Sequence, residues 1–160
     1  ILGAGGAARA IAVKLAQAQA DHISIRNRSI KKAEDLSQSI RDKIPGSNID
    51  GNGLQSLQEE TKTFDLIVNT TSVGMFSENN RESTSLIEEK WISEKSICSD
   101  AVYNPLETVF LKNAKRKGAK TLGGLGWLIH QGAFAWKLWT GTEMPIDAVR
   151  NALTEELTKN

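Results

Sequence analysis

Cysteine is nearly absent from this chain: Cys98 is the only one in 160 residues. No disulfide can therefore form within the chain, and a reducing compartment, the cytoplasm, is the expected setting. Cys98 itself sits in an apolar run and is expected to be a buried structural thiol. Histidine is almost as scarce, with only His22 and His130. Neither has ligand spacing to the other or to Cys98, so no metal site is expected. Charge of one sign is not in excess: 20 Lys and Arg stand against 19 Asp and Glu, a net charge of +1. Bulk electrostatics thus gives no reason to expect a nucleic-acid or membrane partner. No apolar run approaches the ~18 residues of a membrane helix, and no signal peptide, internal repeat or low-complexity segment is visible.

What is present is an alternation of short apolar strands and helical stretches. Ile1 and Leu2 read as the end of a strand. The alanine-rich run from Ala7 to Ala20 predicts a helix with a small-residue face that can lie close to a sheet. "HISIR" alternates around Ile23 and Ile25 as a strand does. Ser29 is placed to N-cap a helix in which Ala33, Leu36 and Ile40 recur at helical spacing, and Pro45-Gly46 closes it. A short strand is predicted at Asn48 to Ile49 and a short helix at "LQSLQEE". "DLIVN" has the length and uniform apolarity of a strand buried on both faces. "TSVGMFSENNRESTS" reads as loop, and "KSICSDAVY" as a central strand and its exit. A helix closed by Gly118 comes next, then a short strand in "AKTLGG", a dense apolar helix to Gly141, and a last helix that Pro145 starts. The acidic pairs at 59–60 and 88–89 read as solvated helix faces. The pattern predicts an α/β fold, Rossmann-like and doubly wound, with a mostly parallel sheet, helices on both faces and a truncated first strand. Ligands bind such sheets at the C-terminal strand ends.

The stretches at those ends carry the chemistry. Gly3, Gly5 and Ala8 fit G-x-G-x-x-A between a strand remnant and a helix. Glycines there allow a tight turn and close approach of a pyrophosphate, and the helix N-terminus supplies amides and partial positive charge. After the second strand, an NAD site usually places a carboxylate to accept from the ribose hydroxyl. Here the strand ends in Asn27-Arg28-Ser29, followed by Lys31 and Lys32. Arg28 can offer its planar guanidinium to a 2′-phosphate, Lys32 a second charge, and Ser29 or the helix-start amides a further donor. These residues predict NADP as the cofactor.

The two motifs resemble those of the shikimate dehydrogenase family (shikimate/quinate dehydrogenases), whose G-x-G-G-A turn is matched by Gly3-Ala4-Gly5-Gly6-Ala7. Its N-R-[TS]-x-x-[RK] clamp is matched by Asn27 to Lys32. Glutamyl-tRNA reductases carry a similar pair, and three later stretches favour the first family. "NTTSVGM" resembles the loop that lines the nicotinamide half of the cofactor, with Thr71, Ser72 and Val73 at its contact positions. "DAVYNPLETVFL" resembles D-x-x-Y-x-P-x-x-T; the match implies that Ala101 approaches the nicotinamide and that Tyr103 lies where substrate meets it. The final apolar helix resembles G-L-G-M-L-x-x-Q. By that match Gly124 receives the carboxamide, and Gln131 bonds a substrate hydroxyl. Trp127 stands where the family has methionine and is expected to reshape the wall beside the nicotinamide.

The resemblance implies residues 1–124 as an NADP-binding Rossmann domain. Residues 125–160 are expected as C-terminal helices that pack back on an N-terminal substrate domain. Nothing here matches that domain, which in the family holds the catalytic Lys–Asp pair, so no catalytic residue is expected in this chain. The sequence is expected to be part of an enzyme that reduces 3-dehydroshikimate to shikimate with NADPH, in aromatic amino acid (chorismate-pathway) biosynthesis. By itself it is expected to bind cofactor without turnover. A non-catalytic NADP-binding module is the alternative of another class. Phe134, Trp136 and Trp139, with Trp127, form a stripe that reads as packing. The apolar surface of the last two helices is expected to be covered by self-association.

Overall fold

The computed structural model describes residues 1–59, 61, 63–76 and 84–159. Glu60 of the acidic pair and positions 77–83 of the expected loop lie outside the described residues. The chain forms two compact units, Ile1–Thr63 with Ile67–Thr71, and Phe64–Leu66 with Ser72–Asn160.

The first unit follows the alternation of the sequence: α1 (Gly6–Gln17), β1 (Ile23–Asn27), α2 (Ile30–Lys43), β2 (Ile49–Gly53), a 3₁₀ turn (Leu54–Glu59) and the last three residues of β3 (Leu66–Asn69). β1 and β2 run parallel, from Ile23 opposite Ile49 to Asn27 opposite Gly53. Residues 1–3 behave as a strand between β1 and β3. Ile1 N donates to the Ser24 carbonyl at 2.7 Å and Arg26 N to that of Ile1 at 2.8 Å. On the other side, Leu2 N donates to the Val68 carbonyl at 2.8 Å and Thr70 N to that of Leu2 at 2.9 Å.

The alanine face does what its size allows. Ala8, Ala12 and Ala16 recur every four residues on one side of α1 and are buried. They share one core with Ile23 and Ile25 of β1, Ala33, Leu36 and Ile40 of α2, and Ile49 of β2. With only a methyl group at each contact, the helix backbone can approach the strands closely. Ser29 stands at the N-cap of α2, as expected, but its side chain makes no capping bond.

β2 is longer than its sequence suggests. "IDGNG" has two glycines and two short polar residues, all poor strand formers, yet it pairs along its whole length with β1. Gly51 gives the reason. A Cβ there would run into the carbonyl of Ala33, so α2 lies directly on the strand backbone, and only glycine leaves the room.

The second unit holds a 3₁₀ turn at Glu89–Trp91, β4 (Ile97–Asp100), α3 (Val109–Arg116), β5 (Lys120–Leu122), α4 (Gly124–Thr140) and α5 (Ile146–Thr158). β4 and β5 are parallel, with Ser99 opposite Leu122. Trp91, Ile92, Cys98, Phe110, Leu111 and Ala114 are buried here. Ser96 donates its hydroxyl to the Phe64 carbonyl at 2.6 Å. Gly118 and Gly141 take left-handed conformations, with φ of +78° and +72°, just past the ends of α3 and α4, the usual helix stop. Beyond Trp127, the aromatic stripe finds little cover among the described residues. Phe134, Leu138 and Trp139 are each about 80% exposed, and only Gly124 and Ile129 of α4 are buried. No helix among the described residues is long and apolar enough to cross a membrane.

Gly51→Ala should lower unfolding stability by about 1–3 kcal/mol, the usual penalty for forcing a methyl group into a filled site; the midpoint of urea denaturation reads it. Cys98 is fully buried, and burial pushes its thiol from the usual 9 up to about 11. From pH 9 to 11 the unfolded thiol ionises while the folded one stays protonated, so stability falls as pH rises through that window. Wild-type protein should therefore lose more stability across it than Cys98→Ala. A thiol reagent at neutral pH should react only after denaturant is added.

Candidate functional site

In the first unit the ends of three parallel strands meet at Gly3. Its φ is +104°, and a Cβ would lie 2.5 Å from Thr70 Oγ1 and 3.3 Å from Thr71 Cγ2. Gly3 N donates to the Arg26 carbonyl at 2.8 Å. Thr70 Oγ1 donates to the Leu2 carbonyl at 2.6 Å and so clamps the next strand end over the bend. Thr71 is held by buried Asn69, whose Oδ1 accepts from Thr71 N at 3.1 Å and Thr71 Oγ1 at 2.7 Å. Gly5 and Gly6 serve a different purpose. Nothing lies within 4 Å of a Cβ built on either one, so the N-terminus of α1 opens to solvent. Gly5 is its N-cap and has no side chain to satisfy the first-turn amides. Ala7 is exposed beside them in that first turn.

Ala4 and Gly5 form one wall of an open recess of about 200 Å³; Asn27, Arg28, Ser29 and Lys32 form the other. The cationic stretch after β1 and the glycine bend thus face the same space. Asn27 Nδ2 donates to the Ser29 carbonyl at 2.9 Å and fixes the turn into α2. Arg28 and Lys32 are exposed. Lys31 is engaged with Asp35 at 3.2 Å, whereas Arg28 and Lys32 have no carboxylate in ion-pair range among the described residues. Asp50, the acidic residue of β2, is taken up elsewhere: it pairs with Arg26 and accepts from His22 Nε2 at 2.7 Å. Two helix N-termini and two uncompensated cations therefore border the recess, and no acidic residue lies in the first turn of either helix. That arrangement is chemically suited to an anion bearing more than one negative charge.

The remaining candidates lie in the second unit. Ser72 is exposed and Val73 half-buried. The Phe76 N–H donates to the Asn104 carbonyl at 2.8 Å, tying their loop to the one after β4. That later loop is built on Asp100, which is fully buried. One carboxylate oxygen accepts from Val102 N at 3.0 Å and the other from Thr108 Oγ1 at 2.6 Å. Thr108 in turn accepts from Leu111 N as the N-cap of α3. Gly124 abuts the same loop: a Cβ there would lie 2.5 Å from the Ala101 carbonyl oxygen. Trp127 Nε1 donates to Ser99 Oγ at 3.2 Å. Tyr103 and Gln131 are exposed. Ala101, Gly124 and Trp127 are thereby gathered around the end of β4.

Asn69, Ser99, Asp100 and Thr108, which hold these loops, had no role on sequence grounds. Asp100 and Thr108 did leave a signal, as the first and last residues of the D-x-x-Y-x-P-x-x-T match, but only the fold shows that they touch. Among the described residues no cluster of three or more His, Cys, Asp or Glu side chains is arranged to hold a metal ion.

Comparison with known proteins identifies the family. The family model for shikimate / quinate 5-dehydrogenase matches residues 1–98, and that for the shikimate 5′-dehydrogenase C-terminal domain matches residues 124–154. The chain is 41% identical over 159 residues to the shikimate dehydrogenase (NADP(+)) of Methanocaldococcus jannaschii, covering 99% of this chain and 55% of that protein. It is 45% identical over 156 residues to the shikimate dehydrogenase (NADP(+)) of Alkaliphilus oremlandii, covering 96% of this chain and 54% of that one. A crystal structure of a shikimate dehydrogenase in complex with NADP+ superposes with a TM-score of 0.81 at 40% identity, over 98% of this chain and 53% of the other. The chain spans about half the length of the curated relatives it matches.

Proposed function

The chain belongs to the shikimate/quinate dehydrogenase family, with its Rossmann-like α/β fold, and from that membership we propose that it binds NADP as part of an enzyme interconverting 3-dehydroshikimate and shikimate. The recess in the first unit carries this reading. Arg28 and Lys32, with no carboxylate in range among the described residues, border the same space as the glycine bend. In this reading Gly5, Gly6 and Ala7 offer amides to the diphosphate, with Gly3 and Ala4 forming the turn beneath. Asn27, Arg28, Ser29 and Lys32 hold the 2′-phosphate. Thr71, Ser72, Val73, Ala101, Gly124 and Trp127 contact the nicotinamide half, and Tyr103 and Gln131 the substrate. Residues 1–124 form the cofactor domain, and 125–160 are helices that pack on a substrate domain.

When bound, NADPH would supply hydride-transfer chemistry, and reducing the ketone to the alcohol would also need a proton donor. No side chain in this chain is assigned to that proton. The resemblance gives proton transfer to a Lys–Asp pair that these 160 residues do not match, so the isolated chain should bind NADPH and turn over negligibly.

Titration calorimetry on the isolated chain tests the assignment. Wild type should prefer NADPH to NADH. Arg28→Ala should weaken NADPH by roughly 10- to 100-fold, the range for loss of a hydrogen bond to a charged group, and leave NADH nearly unchanged. An unchanged preference would place the phosphate elsewhere. The same preparation, given NADPH and 3-dehydroshikimate, should show no appreciable oxidation of NADPH; near-normal turnover would refute the outside origin of the proton.

The exposed Phe134, Leu138 and Trp139 support one further part of this reading: in the isolated chain a second copy covers them. Light scattering should report a mass above that of one chain. A clean monomer that binds no hydrophobic dye would contradict it.

A further inference from the structure

The first turn of α4 is fixed to the end of β4 at two points. Gly124 lies on the Ala101 and Val102 carbonyls with no room for a Cβ. Three residues on, the Trp127 indole donates to Ser99 Oγ at 3.2 Å. Ser99 is 3% exposed, so its hydroxyl has few competing waters. The indole has two rotatable bonds, and one polar atom bonded to a rigid strand end fixes its plane. Positions 124, 127 and 131 share one face of a helix, so the same contact sets the rotation of α4 that presents Gln131.

We propose that Ser99 is a positioning residue: through its bond to Trp127 it fixes the indole as a rigid wall for the nicotinamide end of the dinucleotide. This rests on the cofactor reading above. It adds Ser99, whose part is played through its bond to the indole. A flexible thioether would adapt to whatever lies against it, whereas a tethered indole fits one pose. The adenosine end should be indifferent to this contact, because its cations and helix ends belong to the first unit.

A double-mutant cycle read with two probes tests this. NADPH reports both ends of the dinucleotide, and adenosine 2′,5′-bisphosphate reports the adenosine end alone. Ser99→Ala and Trp127→Phe should each weaken NADPH about three- to tenfold, the scale of one neutral hydrogen bond. Each should lower the emission of the bound reduced nicotinamide and leave bisphosphate affinity within about twofold. The double variant should be no weaker than the worse single one, since Ser99 acts only through the indole, and Ser99→Thr, which keeps the hydroxyl, should restore binding. Three results would overturn the inference while the cofactor reading stands: effects of the two substitutions that simply multiply, wild-type NADPH binding by Ser99→Ala, or equal losses for both probes. Wild-type protein that binds neither probe would overturn the cofactor reading and this inference together.

Discussion

The parallel pairing of residues 1–3 between β1 and β3 is the constraint on which the first unit depends. Three residues give and receive backbone hydrogen bonds on both sides, and then the chain must turn sharply out of the sheet. Only a residue without a Cβ can make that turn, because the space where a side chain would go is filled by Thr70 and Thr71. Once the bend is set, the C-terminal ends of neighbouring strands are brought level, and the segments leaving them share one rim. The amides of α1, the cationic entry to α2 and the Asn69–Thr71 turn are neighbours for that reason. The general preference of open parallel sheets for ligands at their C-terminal edge is here a matter of backbone pairing.

The second unit solves a similar problem with side chains. A carboxylate sealed from water is costly unless its oxygens are bonded. Asp100 meets that requirement with Val102 N and the Thr108 hydroxyl. The same bonds fix the loop that carries Ala101 and Tyr103 and set the start of α3. One buried acid thus ties strand, loop and helix cap together, and the start of α4 rests against the result through Gly124.

Local signals made much of this legible in the sequence. Ala8, Ala12 and Ala16, the α2 positions Ala33, Leu36 and Ile40, and the glycines after α3 and α4 announce their elements, because their periodicity or backbone freedom belongs to nearby residues. That Arg28 and Lys32 stand near the glycine bend could be read because both lie close behind a strand end. β2 could not be read to its full length. Its glycine at 51 is explained only by α2, which approaches from 18 residues earlier in sequence at Ala33. Asn69 and Ser99 are equally silent in the sequence, since a polar side chain that anchors a loop looks like one that faces water. The aromatic stripe of α4 shows the opposite limit: apolar periodicity says that a face seeks cover, not where the cover is found.

Under the proposed reading, nucleotide recognition and architecture are borne by different classes of position in the first unit. Gly3, Gly51 and Ala8, Ala12 and Ala16 of α1 have no slack, since each is packed against neighbouring atoms or core. Arg28, Ser29 and Lys32 stand in solvent, outside that core. Surface positions of this kind accept replacement at little cost in stability. Natural or laboratory drift could therefore rewrite the charge and shape of the rim, one exposed side chain at a time, while the frame beneath stays as it is.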